Sequence, residues 1–230
     1  MVKILHLADL VPLVEGKTIL HCNSLGKDSV LSIEWLVRST KPTRVISLYL
    51  QPKAHHPGDE PYLQYLRERY QKFPVEIVVV PNATELSAVC QGIFQNPIRQ
   101  LTELNPLEFD SFDEHKCIDE YKQHYHADYI VEGSSKYEDF SRRTKFHQKG
   151  LFWNNVMSPL GMMTRREVIH LIKQTGIKLH PCYKVSKCTY DTPSYYKMRA
   201  GFIADPEFKR KVYAVYPLLA LDEYRFEKLL

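Results

Sequence analysis

The nine residues His21-Cys-Asn-Ser-Leu-Gly-Lys-Asp-Ser29 constrain this chain more tightly than any other stretch. The apolar run Thr18-Ile-Leu-His-Cys22 leads into them, and a run from Ser29 to Val37 with apolar residues at helical spacing leads out. A strand, a short turn with one glycine and a helix start bring backbone N–H groups to face an anion. Ser24 and Ser29 add hydroxyl donors, and Lys27 adds a positive charge. Asp28 would repel a phosphate unless a divalent cation lay between them. Mg2+ suits that place, because it is typically held by one or two carboxylates plus phosphate oxygens. The stretch is not a Walker A loop, which needs Gly, four residues and then Gly-Lys-Ser/Thr. Here His21 stands in place of the first glycine and Asp28 follows Lys27. The plain alternative is a solvated strand-to-helix turn, since six residues match a motif by chance.

The rest of the chain gives this turn a setting. Residues 17–22, 45–50, 75–80, 128–132 and 155–160 read as strands, and residues 28–38, 62–73, 113–125 and 165–175 as helices. Thr164 and Glu167 fit a capping box, and Gly176 fits a helix stop. Alternating strands and helices predict right-handed crossovers and an α/β fold. The expected architecture is a doubly wound, mainly parallel five-stranded sheet. Ligands of such sheets sit beyond the carboxyl ends of the strands, where the strand order reverses. The loop from Ser24 to Ser29 follows the first strand and lies at such an end. Residues 2–13 predict a short strand or helix on the domain edge, and residues 83–94 a helix. Pro97 and Pro106 mark an insertion. The expected division is a nucleotide-binding domain over residues 1–190, with a helical C-terminal extension over 191–230 packed on it. Tyr195, Tyr196, Tyr213, Tyr216 and Tyr224 in that extension suit packing more often than base stacking.

Charge and cysteine usage narrow the partners. The formal charge is +4. Residues 136–187 hold eleven Lys/Arg and three acids, or +8, which leaves −4 elsewhere. A basic third on a mildly acidic body suits nucleotide phosphates or nucleic acid. Scattered solvated charges are the plain alternative. The five cysteines, at 22, 90, 117, 182 and 188, include no Cys-x-x-Cys pair. This disfavours a disulfide framework and leads us to expect a reducing cytoplasm. No apolar run reaches membrane length. His55, His56, Asp59 and Glu60 are four metal-capable side chains in six positions, but no periodicity converges them, so loop or helix-start charges are the better reading.

The Ser-x-Gly-Lys-Asp-Ser pattern of Ser24 to Ser29 resembles the PP-loop of the adenine-nucleotide α-hydrolase superfamily. Its lysine points to the branch that includes phosphoadenylyl-sulfate (PAPS) reductases. Two weaker blocks follow in the order of that family. Gly133 with Glu138, Ser141 and Arg142 resembles a Gly–acid–Ser–Arg run, although Ser134 stands where relatives usually carry Arg or Thr. Gly176 to Tyr183 is similar to a Gly-Ile-x-Leu-x-Pro-x-Tyr element that closes the nucleotide site. The Asp-Thr-Gly-like element after the second strand is not visible at Leu50-Gln-Pro-Lys.

The resemblance implies an adenine nucleotide, ATP or a PAPS-like molecule, with Mg2+ on Asp28. Ser24, Leu25, Gly26, Lys27, Ser29, Gly133, Arg142 and Arg143 would bind it, with Lys27 and Asp28 as the catalytic pair. The expected activity is that of an ATP pyrophosphatase or adenylating transferase of the PP-loop class. PAPS binding or reduction is an alternative. PAPS reductases use a cysteine in a C-terminal Glu-Cys-Gly-x-His segment, and no cysteine follows Cys188 here, so reduction is disfavoured. A role in nucleic-acid sulfur modification is a third alternative, with residues 136–187 as a nucleic-acid track. In it Cys182 and Cys188, with His180 and Cys117, would hold zinc or an iron–sulfur cluster, but separate structural thiols are the better reading. The acceptor and a homo-oligomeric state are left open.

Overall fold

The computed structural model describes residues 3–82, 114–185 and 195–228. Contacts divide the chain into two compact units. One comprises residues 1–49, 60–79 and 119–180, and the other residues 50–59, 80–118 and 181–230.

The first unit is the α/β body. Strand β1, Thr18–Cys22, is flanked by β2, Arg44–Gln51, and β4, Tyr129–Val131, and runs parallel to both. The sheet order is β3-β2-β1-β4-β6-β5, where β3 is Val75–Pro81, β5 is Phe152–Trp153 and β6 is Val156–Met157. Among the described residues the sheet thus has six strands where five were expected. Strand β6 pairs parallel with β4 within the expected fifth strand, and β5 turns back antiparallel on it. Two-residue strands carry no alternation for a sequence reading to detect. The strand order reverses between β1 and β4.

Helix α2, Lys27–Ser39, follows β1 directly. Its apolar residues split between two cores. Val30, Leu31, Ile33 and Val37 pack with Tyr62, Leu63, Leu66 and Tyr70 of α3, Asp59–Tyr70, and with Val168 and Ile172 of a later helix. Trp35 and Leu36 pack with Ile19, Val45, Val131, Phe146 and Met157. Glu34 is 2% exposed and accepts from Arg38, Arg69 and the Tyr70 hydroxyl, which ties α2 to α3. A buried carboxylate needs such partners, because an unpaired charge in a core is costly.

The expected edge element at the N-terminus is helical, a 3-10 turn at Leu7–Leu10 running into α1, Val11–Val14. Helix α4 is Glu114–His124, and α5, Phe140–Lys149, follows β4. Helix α6, Arg165–Thr175, carries the expected Thr164–Glu167 capping box and ends at Gly176, which holds the left-handed φ of 65°. The expected helix over 83–94 and the insertion around Pro97 and Pro106 lie outside the described residues.

In the second unit α7, Tyr195–Ala204, α8, Pro206–Val215, and α9, Leu219–Lys228, enclose an aromatic core of Tyr195, Phe202, Phe208 and Tyr216 with Met198, Val212 and Leu219. Tyr195 and Tyr216 are therefore packing residues, and Tyr213 packs against the same cluster. No described helix is long and apolar enough to cross a membrane.

Candidate nucleotide site

The 23–29 loop leaves the carboxyl end of β1 at the reversal of strand order. Gly26 is the N-cap of α2 and offers no side chain to its first N–H groups. A helix start leaves its first N–H groups without intrahelical acceptors, and the dipole there favours an anion. Lys27 and Asp28 occupy the first turn and pair with each other, and each side chain is 20% exposed. Ser24 is exposed. The Ser29 hydroxyl is turned inward. It donates to the Gly26 carbonyl at 3.0 Å and accepts from the Ser24 backbone N–H at 3.3 Å, with the Ser24 hydroxyl also at 3.3 Å.

Leu25 gives this loop its bend. Its φ is 57°, in the left-handed region. An L-residue there costs roughly 1–2 kcal/mol. Two contacts hold it. Its N–H donates to Asn23 Oδ1 at 2.9 Å, and its side chain, 2% exposed, sits in the α2–α3 core.

A directional chain of hydrogen bonds braces the loop from beneath. Asn23 Nδ2 donates to Ser47 Oγ at 3.1 Å, Ser47 lies 3.2 Å from His21 Nδ1, and His21 Nε2 lies 2.8 Å from Ser32 Oγ. Ser32 Oγ donates to the Ser29 carbonyl at 2.7 Å. Ser32 spends its one proton on that carbonyl, so it accepts from His21. The imidazole therefore carries its proton on Nε2 and accepts from Ser47 on Nδ1. Burial lowers the His21 pKa to about 3, against an opposing contribution from the Ser29 backbone. The ring is fully buried and neutral. A sequence reading that treats His21 only as a departure from Walker A misses this role. The signal was a polar residue inside an apolar strand, which needs partners once both faces are covered.

Gly133 closes the other wall. A Cβ there would lie 2.6 Å from the Ser29 backbone nitrogen and 2.7 Å from the Asp28 carbonyl carbon. The end of β4 thus approaches the first turn of α2 more closely than any side chain allows. The structure places Gly133 beside the 23–29 loop.

Beyond Gly133, Glu132 accepts from Ser134 at 2.5 Å, Ser158 at 2.7 Å and Lys145 at 3.2 Å. Burial raises its pKa, but these hydrogen bonds and the Lys145 charge outweigh that and hold it below the usual carboxylate range. The motif reading did not single out this anchor. Arg142 pairs with Glu138, and its Nε lies 3.5 Å from Asp139, the residue that caps α5. Arg143 is exposed on α5. The two arginines are therefore unequal: Arg142 is held by acids of its own segment.

Of the metal-capable residues in 55–60, His56 Nδ1 accepts from the Gly58 N–H at 2.9 Å and its ring meets Phe208 edge-on at 5.2 Å. Glu60 pairs with Arg67 at 3.1 Å. Cys117 and Cys182 are buried thiols, and Cys188 lies outside the described residues.

The profile of the phosphoadenosine phosphosulfate reductase domain matches residues 18–192, which take in the β1 loop, Gly133 and α6. The chain belongs to this family. Among solved structures, the PAPS-reductase-family chain is similar to the U34-tRNA thiolase NcsA from Methanococcus maripaludis, solved with its [4Fe-4S] cluster. Identity is 14%, coverage is 96% of this chain and 78% of that one, and the TM-score is 0.49. It is also similar to a PAPS reductase from Candida auris in a phosphate complex. There identity is 13%, coverage is 78% of this chain and 84% of that one, and the TM-score is 0.47. No curated protein matches the chain.

Proposed function

We propose that this PAPS-reductase-family protein binds ATP, or a related adenine nucleotide, at the 23–29 loop and cleaves its α–β phosphoanhydride bond. An acceptor oxygen attacks the α-phosphorus, the bond to the bridging oxygen breaks, and pyrophosphate leaves with the electron pair. The acceptor loses its proton to solvent and keeps AMP, which activates it toward sulfur or nitrogen nucleophiles.

The single observation that carries this reading is the setting of the loop. The first turn of α2, the Ser24 hydroxyl and the Lys27 side chain lie at the switch in strand order, where the β4 end at Gly133 comes within van der Waals contact of that turn. Lys27 and the helix start would grip the polyphosphate, and Gly133 would let the nucleotide lie flat against the β4 end. Arg143 would add a bidentate donor. Asp28 is an oxygen donor on the same turn, which is the ligand chemistry Mg2+ takes beside phosphate oxygens. Mg2+ held there would supply charge neutralisation on the departing pyrophosphate. The protein's own share is positioning and electrostatic stabilisation.

Family membership favours a second reading, in which the nucleotide is PAPS or another sulfonucleotide. The loop serves both, since each presents an adenylate with an anionic group beyond it.

The test is pyrophosphate release from ATP with Mg2+ by the wild type and by Lys27→Ala, across candidate acceptors. The variant should lose about a hundredfold in rate, the scale of removing one transition-state donor. Release at the wild-type rate would contradict the assignment.

A further inference from the structure

We propose that Lys136, Tyr137 and Phe140, with Arg165 and Arg166, form a lip that takes a single-stranded nucleic acid, and that this strand is the acceptor for the nucleotide site. The acceptor role rests on the nucleotide reading above; the binding surface itself does not.

Two large aromatic side chains stand in water on this segment. Phe140 is 80% exposed and Tyr137 is 49% exposed. Neither anchors its neighbourhood: α5, which Phe140 opens, buries Phe146 instead. Leaving such rings in water gives the fold nothing, whereas a ring face stacks on any base.

Their backbone is fixed. Asp139 Oδ1 caps α5 by accepting from the Arg142 N–H at 2.7 Å. The Tyr137 N–H donates to Ser135 Oγ at 3.3 Å, and that hydroxyl donates to the Met163 carbonyl at 3.0 Å. The Lys136 N–H donates to the Gly161 carbonyl at 3.0 Å. The aromatic segment is thus tied to the turn that runs into α6, whose first two residues are Arg165 and Arg166, both exposed. Lys136 and Tyr137 follow Gly133 by three and four residues, so the segment continues the chain that leaves the proposed nucleotide site.

The charges favour an anion. Glu138 is committed to Arg142, Asp139 to the cap of α5 and Glu167 to the cap of α6. Among the described residues Arg165 and Arg166 form no ion pair. Lys136 lies over the Tyr137 ring at 5.1 Å and adds positive charge beside it. Cations select a polyanion, and exposed ring faces select one with unstacked bases. A duplex hides its ring faces, and an acidic peptide has none.

The experiment measures binding of fluorescent single-stranded oligo-U and oligo-dT of about twelve nucleotides, within the span of single-strand sites. A duplex of equal length and polyglutamate serve as competitors. The single strands should bind more tightly than either. Tyr137→Ala/Phe140→Ala should weaken them at least about fivefold, the lower end of losing one stacked base. Tyr137→Phe/Phe140→Tyr should restore binding. Arg165→Ala/Arg166→Ala should reduce the slope of log K against log salt by about 1.4. ATP–Mg2+ affinity should be unchanged in the aromatic double variant. Oligonucleotide binding within twofold of wild type in that variant would overturn the lip. So would polyglutamate or duplex binding as tightly as the single strand, or an equal loss of ATP affinity. If the wild type binds single strands through the aromatics but no adenine nucleotide, the acceptor role falls and the surface stands.

Discussion

A Cβ on Gly133 would lie 2.6 Å from the backbone nitrogen of Ser29. That distance forces either the end of β4 or the first turn of α2 to move. Gly133→Ala should therefore distort the loop proposed to hold the nucleotide, and ATP affinity should fall by about tenfold or more. Gly16→Ala is the control. Its φ is 71° and a Cβ there meets nothing within 4 Å, so it strains the backbone alone. It should cost about 1 kcal/mol of stability and leave ATP affinity unchanged. Nucleotide titrations and denaturant melts of the two variants separate these outcomes.

His21 ties stability to pH. Its folded pKa, about 3, lies below its unfolded value near 6.5. The folded state thus disfavours the proton, so the stabilisation is complete above pH 6.5 and falls as pH drops from there toward 3. The slope in that window is about 1.4 kcal/mol per pH unit. Between pH 6.5 and 5 the wild type should lose about 2 kcal/mol that His21→Asn does not lose. Urea melts at both pH values check this. Equal losses would show that the imidazole takes a proton without unfolding.

Leu25 invites a comparison that inverts the usual ranking. Glycine in a structured position is normally less stable than alanine. At φ 57° alanine carries the left-handed penalty and glycine does not. Both variants lose the same buried side chain, so Leu25→Gly should be more stable than Leu25→Ala by about 1 kcal/mol. Melting temperatures of the pair decide it.

Glu34 should be a strong structural dependence outside the site. It accepts from Arg38, Arg69 and Tyr70 while 2% exposed. Removing it leaves the Arg69 guanidinium, 16% exposed, without its counter-charge. Glu34→Ala should cost about 3–5 kcal/mol, measured by denaturant melts.

Much of this was legible in the sequence, for physical reasons. Strands β1, β2 and β3 are apolar runs long enough to show themselves, and α2 and α6 carry clear start or stop signals. The 23–29 loop could be placed because strand, motif and helix follow one another without a gap. Strand β5 was not legible, because Phe152–Trp153 is too short for a period. Helix α5 was not among the expected helices, because Phe-Ser-Arg-Arg-Thr-Lys-Phe-His-Gln-Lys has one buried residue and no apolar stripe. The brace through Ser47, His21 and Ser32 joins β2, β1 and α2, and such a tertiary chain leaves no local pattern. The same holds for Ser158 on Glu132.

Nucleotide-dependent melting of the wild type and Lys27→Ala, with ATP, PAPS and AMP, each with and without Mg2+, tests the central claim most directly. At a hundredfold excess over Kd a ligand adds about 2.7 kcal/mol, or about 5–10 °C for a chain of this length. The wild type should show that rise with ATP or PAPS, larger for ATP when Mg2+ is present, and Lys27→Ala should show little. A wild type whose melting point ignores both nucleotides, or a Lys27→Ala protein that responds as fully as the wild type, would contradict the nucleotide site.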